Sequence, residues 1–144
     1  MRRYRLELVC ESGESEPEEE SVLRTSTDAA RLLAPLFKGA DREKFVVILL
    51  DAKHRAIGIN TVSIGSLTAA IVTGREVFKA AVAGNAAALL LAHNHPSGDP
   101  APSTEDIELT KRLRDAGELL GIRVVDHVIL GDGKQYSFVD AGAW

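Results

Sequence analysis

The run AAALLLA, residues 86–92, is the longest uninterrupted apolar stretch in the chain. Small and apolar throughout, it predicts a strand at the centre of a sheet, buried on both faces. Its continuation, HNHPSGDPAPSTED, holds three prolines and a glycine, which prevent regular structure until Ser103 or Thr104 caps a helix. That helix runs to about Leu120 and stops at Gly121. A buried strand that gives way to two histidines, a stiff loop and a capped helix restricts the fold more than any other segment. Strand end and helix start must lie within one loop's reach of each other.

The other segments fit around that unit. Ser26 or Thr27 caps a helix through Ala29, Leu32, Leu33, Leu36 and Phe37, with Gly39 as its stop. Phe45 to Leu50 reads as a buried strand, Asp51 to His54 as a turn, and Ile57 to Ile64 as the second arm of a hairpin. Thr73 and Glu76 have capping-box spacing and open a helix that ends at Gly84-Asn85. Ile122 to Leu130 and Tyr136 to Val139 read as strands joined by the turn Gly131-Asp132-Gly133. The order gives an α/β domain, a mixed sheet with helices on its faces.

At the N-terminus, Tyr4, Leu6, Leu8 and Cys10 alternate with more polar residues, which predicts a short edge strand. The following ESGESEPEEE cannot bury apolar area and reads as a solvated segment. Residues 1–23 are therefore set apart from a compact domain at 24–144. The N-terminus lacks the apolar stretch and cleavage site of a signal peptide, and no window suits a membrane span, so the expected location is cytoplasmic with no membrane partner.

Charge and cysteine content narrow the chemistry. Seventeen Lys and Arg against 21 Asp and Glu give a net charge of -4, which does not indicate a nucleic-acid partner. Six of the acids fall in residues 11–20, so the remainder is nearly neutral and only an acidic leader sets the sign. One cysteine excludes an intramolecular disulfide and a thiolate-rich zinc site. A bound metal must be held by nitrogen and oxygen.

His93 and His95 alternate at the end of the buried strand, so their side chains share one face if the extended backbone persists. Asp106 falls in the first turn of the next helix, where a carboxylate also suits the helix dipole. Singly, each has an ordinary role: a packed histidine, or a carboxylate of the Ser103 capping box. Together they form a two-histidine, one-carboxylate set with a fourth position for water, the layout of a catalytic zinc site. The tripeptide His-Asn-His has no bearing on HNH nucleases, whose residues are far apart in sequence. Asp126-His127 on the next strand reads either as a pair orienting a ligand or as a hydrogen-bonded core histidine, with a slight preference for the latter.

His93-Asn94-His95-Pro96, six further residues, then Ser103 and Asp106, resembles the JAMM motif H-x-H-P-x6-S-x-x-D of MPN-type metalloproteases. The wider pattern NAAALLLAHNHPSGDPAPSTEDIELTKRL, with GIRVVDHVILGDG and YSF after it, resembles the bacterial RadC family over residues 24 to 144. The resemblance implies the MPN, cytidine-deaminase-like architecture and Zn²⁺ ligation by His93, His95 and Asp106. It also implies a serine that stabilises the oxyanion, matched by Ser103, and a glutamate acting as general base from an earlier strand. Element order points to Glu43 for that glutamate, although Glu43 also reads as a solvated residue of the run Asp41-Arg42-Glu43-Lys44. Longer RadC-like proteins carry a helix-hairpin-helix-like region, which the short acidic leader does not match.

The leading expectation is a zinc-dependent hydrolase of peptide or isopeptide bonds. Its alternatives are a DNA-repair-associated accessory module and a metal-dependent nuclease.

Overall fold

A computed structural model describes residues 1–5, 7–9, 11, 22–65 and 72–144. Among these residues three helices and five strands follow the order α1 (Ser26–Phe37), β1 (Lys44–Leu50), β2 (Ala56–Ile64), α2 (Gly74–Ala83), β3 (Ala88–Asn94), α3 (Thr104–Leu120), β4 (Arg123–Leu130) and β5 (Gln135–Ser137). The strands form one sheet in the order β2-β1-β3-β4-β5. Only β3 and β4 are parallel, and α3 supplies the crossover between them. The other three pairs are antiparallel, so the sheet is mixed as expected.

The sheet is covered on both faces, which explains why β1 and β3 read as continuous apolar runs. Phe45, Val47 and Leu49 of β1, with Leu89 and Leu91 of β3, pack with Val77, Phe78, Leu109 and Leu113 of α2 and α3. The alternate residues Val46, Ile48, Leu50, Leu90 and Ala92 pack with Ala29, Leu33 and Phe37 of α1. Continuing the alternation along β3 puts His93 on the same face as Leu89 and Leu91, under α3.

The described part of the N-terminal segment corrects the expected edge strand. Arg5 and residues 7–9 form no strand, and Tyr4, Leu8 and Val9 are exposed. Leu6, Cys10 and nearly all of the acidic run lie outside the described residues. Alternation specifies which side chains would share a face, but it provides no partner strand. Two residues before position 24 also contact the sheet region: Val22 bridges Arg55, and buried Leu23 donates its backbone N–H to the His54 carbonyl.

Several boundaries also differ. Thr25, one residue before the expected Ser26, caps α1 in a reciprocal box with Asp28. Thr73 accepts from the Glu76 N–H, but the Glu76 carboxylate turns outward to Lys79, so that box is half made. β3 spans 88–94 instead of 86–92, which carries His93 into the ladder opposite Phe45. β5 ends at Ser137 because the 138–142 backbone folds into turns bonded back to Ser137, Phe138 and Val139. Gly121 ends α3 in the left-handed conformation, as expected.

Candidate metal centre

Three side chains converge beyond the carboxyl end of β3. His93 Nε2 lies 3.0 Å from His95 Nε2 and 3.3 Å from Asp106 Oδ1, while His95 Nε2 lies 3.2 Å from Asp106 Oδ2. One possible ligand atom from each lies within 4.8 Å of the others, a group able to hold a metal ion. His93 is fully buried, Asp106 nearly so, and His95 is partly open. The set therefore faces solvent from the His95 side.

The local backbone explains this convergence. His95 donates its N–H to the Leu130 carbonyl, so the chain stays beside β4 for one residue after β3. Gly98, at φ +91°, donates to the His95 carbonyl and accepts from Asp132, pinning the loop to the β4–β5 turn. Ser103 and Asp106 then close a full capping box: Asp106 N–H reaches Ser103 Oγ at 3.1 Å, and Ser103 N–H reaches Asp106 Oδ2 at 2.9 Å. The box fixes the carboxylate with Oδ1 turned to His93.

The chemistry of the donor set suits a cation. His95 Nδ1 lies 2.8 Å from the Asp99 carbonyl, which can only accept, so Nδ1 donates there and Nε2 is the ring nitrogen turned to the site. Burial opposes ionisation of Asp106, but the hydrogen bond and charge of His93 and the bonds from Ser103 outweigh it and hold the carboxyl well below the usual carboxylate range. The Asp106 carboxylate and the Nε2 atoms of both histidines are possible ligand atoms drawn close to one another. A divalent ion satisfies them together.

Around these three candidate ligands is a shell that sequence reading only half identified. His127, fully buried, sets Nε2 2.8 Å from His93 Nδ1 and Nδ1 2.6 Å from Thr110 Oγ1. Thr110 lies four residues after Asp106, on the buried face of α3, and donates to the Asp106 carbonyl at 2.6 Å. The Phe45 ring stacks on His93 and the Phe138 ring on His127, at centroid distances of 5.9 and 5.2 Å. Burial, reinforced by the neighbouring histidines, pushes the His127 pKa well below the ordinary histidine value despite the opposing charge of Asp106. His127 is thus a hydrogen-bonded core histidine and also a direct partner of His93, so the two readings of the sequence merge. Asp126 has no share in this: it accepts from Ser137 Oγ, the Val139 N–H and the His127 N–H, and burial raises its carboxyl pKa against those bonds.

Of the two proposed catalytic residues, Ser103 stands beside Asp106 in the capping box, exposed, with its hydroxyl proton still able to donate. Glu43 immediately precedes β1, half-buried, and its carboxylate makes no hydrogen bond or ion pair with the described residues. Its backbone is firmly placed. Asn94, between the two histidines, accepts from Lys44 N–H at 2.7 Å and donates to the Arg42 carbonyl at 3.1 Å, gripping the chain on either side of Glu43. Extending the Phe45↔His93 register by two residues sets Glu43 alongside His95. Nearby, a groove of about 910 Å³ separates the end of α1 from the β4–β5 turn, with Asn94, His95 and Pro96 in its wall and Lys38 and Lys134 at its margins.

This combination of mixed sheet, crossover helix and strand-end ligand set defines a JAB/MPN-type domain. The RadC-like JAB domain family matches residues 23–143, and the chain belongs to that family. It is 45% identical over 137 residues to a UPF0758 protein of Desulfitobacterium hafniense, covering 95% of this chain and 60% of that protein. A UPF0758 protein of Geobacter sulfurreducens is 56% identical over 106 residues, 74% of this chain and 46% of the relative. The chain thus spans about half to three-fifths of the length of these curated relatives. Among the described residues, no helix is long and apolar enough to cross a membrane.

Proposed function

We propose that this domain is a zinc-dependent hydrolase acting on amide or isopeptide bonds. The observation that carries the reading is the convergence of His93, His95 and Asp106 at a strand end, open to solvent on one side. Zinc in such a site supplies a water acidified towards neutrality and a Lewis acid for a carbonyl oxygen. The remaining work falls to the chain. Glu43, held by the Asn94 grip beside His95, takes the proton of the attacking water and returns it to the leaving amine. The Ser103 hydroxyl donates to the carbonyl oxygen as negative charge develops there. The adjoining groove admits the polypeptide that carries the scissile bond.

The test combines metal content with turnover. Protein from metal-replete cells should contain about one zinc per chain, and His93→Ala and Asp106→Ala should contain none. Glu43→Gln should keep its zinc and lose roughly 10²- to 10⁴-fold in hydrolysis of a peptide and isopeptide library, the usual range for a general base. Zinc-free wild-type protein would sink the proposal. Salt-dependent DNA binding by a chain that hydrolyses nothing would favour an accessory module instead.

A further inference from the structure

We infer that the groove beside the candidate metal site takes an extended polypeptide segment bearing acidic side chains, read by Lys38 from one bank and Lys134 from the other. What happens to that segment rests on the hydrolase reading, whereas the choice of segment rests on the charges of the groove. Among the described residues, three Lys or Arg and one carboxylate line it: Arg31, Lys38 and Lys134 against Asp132. Arg31 leans towards Asp28 at 3.8 Å, outside the groove. Lys38 and Lys134 are exposed, and neither ammonium has an ion pair or hydrogen bond with a described residue. Lys38 has an ordinary role as well, because it follows the last turn of α1, where a cation suits the helix dipole. Lys134 has no such role. Its backbone carbonyl closes the β4–β5 turn by accepting from the Gly131 N–H at 2.9 Å, and its side chain is left to solvent.

Both banks are fixed relative to the site. The Asp132 N–H donates to the Gly98 carbonyl at 2.9 Å, which ties the turn to the metal loop, and Gln135 Nε2 donates to Ser26 Oγ at 3.0 Å, which ties β5 to the start of α1. A segment lying between the two lysines meets favourable charge on either side if it carries carboxylates. A nucleic acid fits less well. Three cations and an acid are too few and too mixed for a phosphate backbone, which bears a charge at every step and would face Asp132 as well. A polypeptide carries its acids at intervals and can keep them clear of Asp132. Ala30, Ala34 and Pro35 give the α1 bank a low surface against which an extended main chain can lie, and about 910 Å³ holds several residues of it. Because His95 belongs to the same lining, a chain in the groove continues directly into the site. The preferred acids therefore lie within a few residues of the scissile bond.

Binding is tested on the full chain with chelator present, so that carboxylates on a metal cannot account for it. The probes are labelled peptides of alternating Glu and Ala, Gln and Ala, or Lys and Ala, and a single-stranded DNA oligonucleotide of similar length. The Glu peptide should bind tightest and weaken as salt rises. Lys38→Glu with Lys134→Glu should weaken it by about 10-fold or more. Lys53→Glu with Lys79→Glu, an equal change in net charge outside the groove, should leave it unmoved. In the peptide library, cuts should fall beside acidic residues, and the Lys38 and Lys134 reversal should raise KM for those substrates about 10-fold with kcat retained.

Equal binding of the three peptides, a Glu peptide indifferent to the Lys38 and Lys134 reversal, or tighter binding of the oligonucleotide overturns the inference. Cleavage without preference for acidic neighbours overturns it too and leaves the hydrolase reading standing. Acidic-peptide binding that the reversal abolishes, in a chain that holds no zinc and cuts nothing, overturns the hydrolase reading alone.

Discussion

Asp126 and His127 are neighbours on β4, yet successive strand residues point to opposite sides, and the two face different problems. His127 bonds His93 and Thr110 beside the candidate metal site, while Asp126 holds the turn after β5 through Ser137 and Val139. Burial leaves the folded carboxyl with a pKa above 3.8, its unfolded reference. A group shifted this way contributes stability below the unfolded value, and that contribution is lost as pH rises through the folded value. Asp126→Asn does not titrate, so its melting temperature should gain on wild type between about pH 3 and about pH 7. Melting curves across that range check this; an opposite trend would mean the carboxylate is favoured in its ionised form. Thr110 was illegible at this scale. A threonine inside a helix commonly bonds the carbonyl four residues back, and nothing in the sequence says what approaches its other side. His127 could be recognised as a candidate, but its contact with His93 depends on the parallel register that pairs Leu91 with His127.

At the scale of elements, α3 carries one stripe with two uses. Asp106 and Thr110 meet the site, while Leu109, Leu113 and Gly117 pack onto the sheet and α2. Gly117 is required by that approach: an added Cβ would sit 2.6 Å from the Ile122 carbonyl oxygen and 3.1 Å from Val124 Cγ2. Alanine would gain about 1 kcal/mol of helix propensity, but backbone crowding costs roughly 1–3 kcal/mol. Gly117→Ala should therefore lower the melting temperature, and a rise would refute the packing argument. Gly131 plays the same part for the metal loop, since a Cβ there would lie 2.2 Å from the Gly98 carbonyl oxygen. Gly131→Ala should push the loop off the β4–β5 turn and reduce zinc affinity, measurable by competition with a chelator. The elements themselves were largely readable, because caps, glycine stops and apolar runs are local signals. Ser103 and Asp106 could even be read both as a cap and as site residues, and they are both. The misreadings fell where local pattern lacks information. The described residues of the N-terminal alternation pair with no strand, and β3 extends into polar residues whose place in the ladder depends on Phe45 across from them.

For the whole molecule, the sheet separates two cores, and the His93-His95-Asp106 group lies on the side of one of them, between the end of β3 and α3. Metal that binds the folded chain and not the unfolded one raises stability by mass action, about 2.7 kcal/mol at a free concentration 100 times Kd. Zinc should accordingly raise the melting temperature of wild type in a concentration-dependent way and leave Asp106→Ala unmoved; equal shifts in both would place the ion elsewhere. The near-neutral domain also has Lys38 and Lys134 beside the groove, a feature that the net charge of -4 concealed. The aromatic sandwich around the two inner histidines has one more consequence. The protons shared by His93, His127 and Thr110 lie between the Phe45 and Phe138 rings, where both imidazoles have no exposed surface. Their trade with deuterium requires β3, β4 or α3 to move, so their lifetime in heavy water should report the opening of that part of the fold.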